Sequence, residues 1–421
     1  MPNAEKYSII GHKKEGNSLE KKKKTVKPVK SSGSVKDIYA MRKRRKRRKI
    51  LRQSTWLLLL AVVILVLYQR RDSWMPKLDP MGVRHQSQQQ GIGEADGNFP
   101  IYLYGDSVYQ LAESGGHLLL LNDSYLNFYE QDGTLASVRQ HTYGNAMLQT
   151  AGDYGLLYES GGTRFRLETP AKLRYEKTVS DQIIFGRVSD NGYAAIVTDA
   201  EDCSCRLFVF NSKGQQIYSR NCVERISEIA FNADSTGCYA VRIEAENGLM
   251  KSVVNAYDFS STDTIWSSQA LDILAISVYN TSEGNLFILG DNKCCFLDSA
   301  GNPLSSYAYP DELVRGCFSG NTAALLFRND EKRTNSVVVI NGPDGSPAIR
   351  SYDKDVRDIG LMTENEAVLV QLRSGIETLS YQCNLMQTTP LSDSYDGFLR
   401  IGRDLYLKGY DQIARLEYQP T

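Results

Sequence analysis

Residues Asn191–Ser219 read NGYAAIVTDAEDCSCRLFVFNSKGQQIYS. Three short runs rich in β-branched, aromatic and aliphatic residues lie in this stretch, AAIVT, CRLFVF and QQIYS, and polar clusters separate them. The last separator, NSKG, ends in glycine, the residue that enters a left-handed backbone turn without steric cost. Short apolar runs bounded by Gly, Asn, Asp and Ser predict antiparallel strands joined by tight hairpins.

The same texture extends from about residue 99 to the end of the chain. HLLLLND, NSVVVIN and EAVLVQL are further apolar runs, and the Gly turn returns in YEQDGTLAS, FLDSAGNPL and INGPDGSPA. No long amphipathic helix pattern interrupts them. A repeating unit of four strands emerges, with first strands expected near Tyr109, Ala146, Ile183, Ile226, Ile273, Leu313, Val356 and Tyr395. The spacings run from 37 to 47 residues, which is the size of a β-propeller blade. The last unit, YDGFLRIGRDLYLKGYDQIARLEY, holds three strands rather than four. FPIYLYGD (Phe99–Asp106), ahead of the first unit, can supply the fourth. A ring closed by both ends of its chain leaves no free sheet edge. The expected fold is therefore an all-β propeller of eight blades over residues 99–421. Seven blades, or a pair of β-sandwiches, are the competing architectures.

The first hundred residues read differently. The chain has 421 residues and no net charge, but the charge is unevenly placed. Residues 1–53 carry 19 Lys/Arg and 4 Asp/Glu, and residues 54–421 carry 30 and 45. A tail of +15 thus precedes a body of −15, with an apolar run at the junction. Residues 1–49 are rich in Lys, Ser and Gly, bury too little apolar surface to fold alone, and are expected to form a disordered cytoplasmic tail. Residues 70–98, with prolines, glycines and QSQQQ, read as a stalk.

Between tail and stalk lies MRKRRKRRKILRQSTWLLLLAVVILVLYQRR (Met41–Arg71). Its core, Trp56–Tyr68, is short for a membrane span, but the nineteen residues from Ile50 to Tyr68 reach roughly 28 Å as a helix. A buried core helix fits poorly beside eight adjacent cations. A cleaved signal peptide lacks its small-residue cleavage site, because Gln69, Arg70, Arg71 and Asp72 follow. An uncleaved anchor over residues 50–69 remains, with Trp56, Leu57, Leu60, Val63, Leu65 and Tyr68 meeting the bilayer. The cluster Arg42, Lys43, Arg44, Arg45, Lys46, Arg47, Arg48 and Lys49 then holds the N-terminus inside and contacts anionic inner-leaflet lipids at about 1 kcal/mol per cation. Nucleic acid is a rival partner for this block. The block abuts the apolar run and lacks interleaved aromatic residues, so no nucleic-acid partner is expected.

The unit SDNGYAAIVTDAEDCSCRLFVFNSKGQQIYS followed by ISEIAFNADSTGCYAVRIEAENGLMKSVVNAYDF resembles a bacterial group of single-pass membrane proteins of unknown function. That group carries a WD40-like or quinoprotein-like propeller outside the membrane. The resemblance implies an extracytoplasmic propeller but no reaction, cofactor or ligand. The Trp-Asp and Gly-His signatures of WD40 blades are absent here, so their partner biology does not carry over.

Catalytic signatures are missing. The four histidines are His12, His85, His117 and His141, and no metalloprotease, nucleophile-elbow, phosphate-loop or dinucleotide pattern occurs in a suitable context. No enzyme activity, metal or cofactor is expected. All eight cysteines follow the anchor, where disulfides are permitted. If NSKG turns between Ser212 and Lys213, Cys203 faces Cys222, with Cys205 one pleat away, and a Cys203–Cys222 disulfide is feasible. The leading expectation is a membrane-tethered binding or scaffold module whose ligand is an envelope protein or a glycan. A propeller enzyme, quinoprotein-like or glycan-active, and a ligand sensor that signals through a recruited partner are the alternatives.

Overall fold

Every repeating unit of the sequence forms one four-stranded antiparallel sheet, and the described residues hold eight such sheets. The structure, a computed structural model, describes residues 97–103, 108–392 and 395–418. The segments expected as tail (1–49) and anchor (50–69), and most of the stalk (70–98), lie outside the described residues. So do Arg42–Lys49, the anchor residues Trp56, Leu57, Leu60, Val63, Leu65 and Tyr68, and His12 and His85. Among the described residues no helix is long and apolar enough to cross a membrane.

Strands within a blade are lettered a to d from the centre outward. The innermost strands begin at Gln110, Ala146, Ile183, Ile226, Ala275, Glu312, Val356 and Gly397, each within two residues of its expected start. Blades 1 to 7 use consecutive strands, as the expected unit requires. Blade 8 takes strands a to c from the C-terminus and strand d from Ile101–Tyr102, which pairs with Gln412 and Ile413. The ring is an eight-bladed β-propeller closed by both ends of the domain.

What holds the ring is packing between blades. Eight separate apolar clusters occur among the described residues, one at each junction of neighbouring blades. The Leu156, Phe165 and Leu167 side chains of blade 2 meet Ile183, Ala194 and Ile196 of blade 3, and all six are buried. Each sheet is therefore covered on both sides. This explains why strand b reads as an unbroken apolar run such as AAIVT or AVLVQL, fully buried along its length, rather than as alternation. The outermost strands, covered on one side only, alternate in exposure, as in LASVRQ.

The c–d hairpins correct one sequence expectation. In blade 3 the Asn211 N–H donates to Gln215 O and the Gly214 N–H donates to Asn211 O, so three residues form the turn instead of two. Gly214 has φ +77°, and a Cβ there would stand 2.8 Å from the Tyr175 ring of blade 2. A bulge follows, between the pairs Phe210–Gln216 and Val209–Tyr218. Turn and bulge each shift the register by one residue. Cys205, not Cys203, therefore lies opposite Cys222. A shift of two preserves which side of the sheet each residue faces, whereas a shift of one would have reversed it.

Closure is carried by the eighth cluster. Ile101, Tyr109, Leu118, Leu120, Ile401, Tyr406 and Ile413 are buried together. The Tyr109 hydroxyl of blade 1 donates to Gly409 O of blade 8 at 2.5 Å, and the Tyr406 hydroxyl of blade 8 donates to Gln131 O of blade 1 at 3.1 Å. Ile413→Ala should cost about 2–4 kcal/mol, and removal of residues 98–103 should cost more. Both should lower the midpoint of one cooperative unfolding transition followed by circular dichroism. An unchanged midpoint after the deletion would mean that the ring is not held by this strand.

Candidate functional site: a loop face around the channel mouth

An antiparallel sheet of four strands sends its b–c turn and its outgoing d–a connection to one end, and its a–b and c–d turns to the other. Repeated around the ring, this gives two unlike faces. The face built from b–c turns and d–a connections, here the connection face, differs from the other in its chemistry. Val108 and Val223, in connections, are 84% and 81% exposed, and Leu249 and Met250, at the b–c hairpin of blade 4, are 66% and 54% exposed. Ile276 and Val314, near the starts of two innermost strands, are exposed as well, and Tyr125 and Tyr410 lie beside b–c turns. The other exposed large apolar side chains among the described residues belong to outermost strands, as Ile265 and Ile349 do, and form a belt around the rim.

The innermost strands are shaped for this mouth. In blades 3 to 7 the a–b pairing skips one residue near the connection face: Ile184, Ser227, Ile276, Val314 and Arg357. Such a bulge twists the strand and re-aims its side chains. Two of the skipped residues are the exposed Ile276 and Val314.

The residue just past the bulge carries a buried acid in two blades. In blade 4, Glu228 receives Arg187 of blade 3 through two bonds, Nε to Oε1 at 2.7 Å and Nη2 to Oε2 at 2.6 Å. In blade 7, Asp358 is paired with Arg315 of blade 6, Nε to Oδ1 at 2.9 Å. Each acid also accepts the N–H of the residue after it, Ile229 at 2.8 Å and Ile359 at 2.7 Å. Asp358 accepts a further N–H from Phe398 of blade 8 at 3.1 Å. These pairs stitch neighbouring blades around the channel. Burial pushes the Asp358 carboxyl up, against the Arg315 guanidinium and the two backbone donors, which pull it down.

On the same face, acids in four of the connections between blades reach basic side chains nearby. Asp181 pairs with Arg206, Glu224 with Arg242, Asp272 with Lys251 and Asp396 with Arg357, at 3.0–3.4 Å. Exposed pairs of this kind contribute about 0–1 kcal/mol each, so they orient the loops more than they stabilise the fold. A cleft of about 590 Å³ opens beside blade 7, lined by Lys354, Asp355, Leu372, Arg373, Ser374, Leu391 and Ser392. Among the described residues no three His, Cys, Asp or Glu side chains converge on a metal position.

The sequence-named cysteines of blade 3 lie under the connection Val223–Arg225 of this face. The Ser204 hydroxyl donates to Val223 O, and the Ile226 N–H donates to Cys205 Sγ at 3.3 Å. The inter-blade pairs Arg187–Glu228 and Arg315–Asp358 were not singled out from the sequence. Their signal was present, because the partners stand 41 and 43 residues apart, one blade repeat in each case.

Fold and face together define an eight-bladed propeller whose connection face combines exposed apolar side chains with acid–base pairs. By sequence the chain belongs to a family of unknown function, DUF5711, whose model matches residues 104–378. No curated protein was found to match it. Among solved structures the fold is similar to BamB from Moraxella catarrhalis, with a TM-score of 0.53 and 10% identity over 78% of this chain and 100% of that one. It is also similar to Sqt1 from Chaetomium thermophilum bound to the N-terminus of the ribosomal protein L10, with a TM-score of 0.52 and 16% identity over 75% of this chain and 98% of that one. The dihydro-heme d1 dehydrogenase NirN in complex with DHE matches at a TM-score of 0.51 and 9% identity, over 70% of this chain and 68% of that one. At these identities the likeness is one of fold.

The Arg315–Asp358 pair yields a pH-dependent prediction. A carboxyl whose folded-state pKa is raised binds its proton more tightly folded than unfolded. Its charge therefore weakens folding as pH rises from the unfolded value through the folded one, and costs nothing below both. Arg315→Met removes the compensating cation and raises Asp358 further. The variant should lose about 1–2 kcal/mol at pH 7, discounted because Arg315 is half exposed, and little at about pH 4. Urea denaturation at the two pH values measures this. A loss equal at both would detach Asp358 from Arg315.

Proposed function

We propose that this chain is a protein-binding module of the cell envelope, held at the outer surface of the membrane by its 50–69 segment and docking its partner on the connection face. The observation that carries this reading is that the exposed apolar residues off the outermost strands, Val108, Val223, Leu249, Met250, Ile276 and Val314 among them, all fall on one face of the ring. Exposed apolar residues rimmed by polar ones mark interaction surfaces. The body carries fifteen more acidic than basic residues, and acids recur in the connections around the apolar residues. The partner that fits is an envelope protein presenting a segment with both apolar and basic side chains. Sqt1, a propeller of similar fold, is described bound to the terminus of another protein, which supports a protein ligand here. The anchored, N-inside topology rests on Arg42–Lys49 beside the apolar run, under the positive-inside rule.

Two experiments test the reading. In-cell cross-linking of the full chain should give one discrete adduct with an envelope protein, lost in a Val223→Asp, Met250→Asp double variant. The adduct should persist in an Ile265→Asp, Ile349→Asp variant of the rim. Loss in the rim variant with retention in the first would move the docking surface to the outer belt. Separately, protease added to intact cells should cut the propeller and spare an N-terminal tag. Digestion of the tag, or a mature N-terminus near residue 72, would reject the topology.

A further inference from the structure

Three cysteines lie near one end of the c–d hairpin of blade 3. Cys205 and Cys222 are direct partners across the c–d hairpin, and both are buried. Partners in an antiparallel ladder hold their Cα atoms about 4.5–5.5 Å apart, inside the range of about 4.4–6.8 Å that a disulfide spans. Both are free thiols, the Cys205 Sγ donating to Glu224 O at 3.6 Å and the Cys222 Sγ to Arg220 O at 3.7 Å. Cys203 is two residues upstream of Cys205, and its Sγ donates to Cys205 O at 3.2 Å. The Ser204 N–H donates to Cys222 O at 3.0 Å, which keeps this segment against the Cys222 strand. Of the three, Cys203 alone is half-buried rather than buried.

We infer that these residues form a thiol–disulfide exchange site, in which Cys203 takes up an external disulfide and Cys205 and Cys222 end as a bond across the hairpin. The substrate class is a protein or small-molecule disulfide, RSSR. The Cys203 thiolate attacks one sulfur, the RS–SR bond breaks, and one RS⁻ leaves and is protonated. The Cys222 sulfur then attacks the Cys203 sulfur, and its proton passes to the second RS⁻ as that group leaves. The Cys205 thiolate attacks the Cys222 sulfur and returns Cys203 as a thiolate. In sum the external disulfide is reduced to two thiols, Cys205 and Cys222 are oxidised to one disulfide, and their two protons leave with the products. The local electrostatics suit the last step. The neighbouring Cys222 thiol lowers the Cys205 thiol against the effect of burial, and the Ile226 N–H adds to the lowering. The neighbouring Cys205, followed by burial, raises Cys222. A thiol with more thiolate character is the readier attacking group in exchange.

Closing the bond has a structural consequence. The Cys205 Sγ donates to Glu224 O at 3.6 Å in the thiol form. A disulfide sulfur has no proton to give, so that tie to the connection Val223–Arg225 is exchanged for a covalent link between strands c and d. The chemistry depends on the hairpin register alone and not on the docking reading above.

The test uses the full chain, purified under reducing conditions and then exposed to oxidised glutathione. Peptide mapping of the alkylated, unreduced protein should show the Cys203–Arg206 segment linked to Cys222. Cys205→Ser should abolish the stable link. Cys203→Ser should keep it but slow its formation at least about tenfold. In the wild type the bond should raise the thermal midpoint by roughly 5 °C. A stable Cys203–Cys222 link that survives Cys205→Ser overturns the assignment, as does the absence of any link in protein that keeps its β-sheet spectrum. An unchanged rate in Cys203→Ser overturns the relay role of Cys203.

Discussion

The structure depends on the contact between one blade and the next. No sheet in this ring has a core of its own. Each apolar cluster is made half by one blade and half by its neighbour, so a blade removed from the ring exposes two apolar faces at once. Apolar burial is worth roughly 25 cal/mol per Å², and here it is available only to a sheet with neighbours on both sides. The same constraint sets the sequence texture, with unbroken apolar runs in the second strands and alternation in the outermost ones. It also makes closure obligatory. Without Ile101–Tyr102 on blade 8, the last sheet would lack its outermost strand and the first and last blades would lose part of their shared cluster.

Within that frame, small backbone irregularities place the chemistry. The bulges of the innermost strands sit near the connection face and precede the buried acids Glu228 and Asp358. The c–d hairpins of blades 1, 3 and 5 share a three-residue turn ending in Gly133, Gly214 or Gly301. A Cβ on these glycines would collide with Phe99, Tyr175 or Trp266 respectively, so the turn is seated under an aromatic ring beside the preceding blade. One geometric feature thus joins hairpin register to blade packing.

The two faces of the ring then differ for a topological reason. The connection face carries the links between blades, and these vary in length and composition because no hairpin geometry confines them. Exposed apolar side chains and acids are tolerated there, and function on a rigid scaffold concentrates in such loops. The opposite face is made of tight hairpins whose residues are chosen by turn geometry.

The sequence by itself determined the blade repeat, the positions of the innermost strands to within two residues, and the return of the N-terminal strand to the last blade. These follow from local patterns, strand period and turn glycines, that each segment carries within a few residues. Tertiary structure alone decided the rest. The register that sets Cys205 rather than Cys203 opposite Cys222 depends on a bulge, and a bulge leaves the apolar pattern almost unchanged while shifting every pair beyond it. The pairs Arg187–Glu228 and Arg315–Asp358 needed the packing of neighbouring blades to bring together side chains one repeat apart. The connection face emerged only when eight sheets aligned, because exposure is a property of the closed ring and not of any single strand.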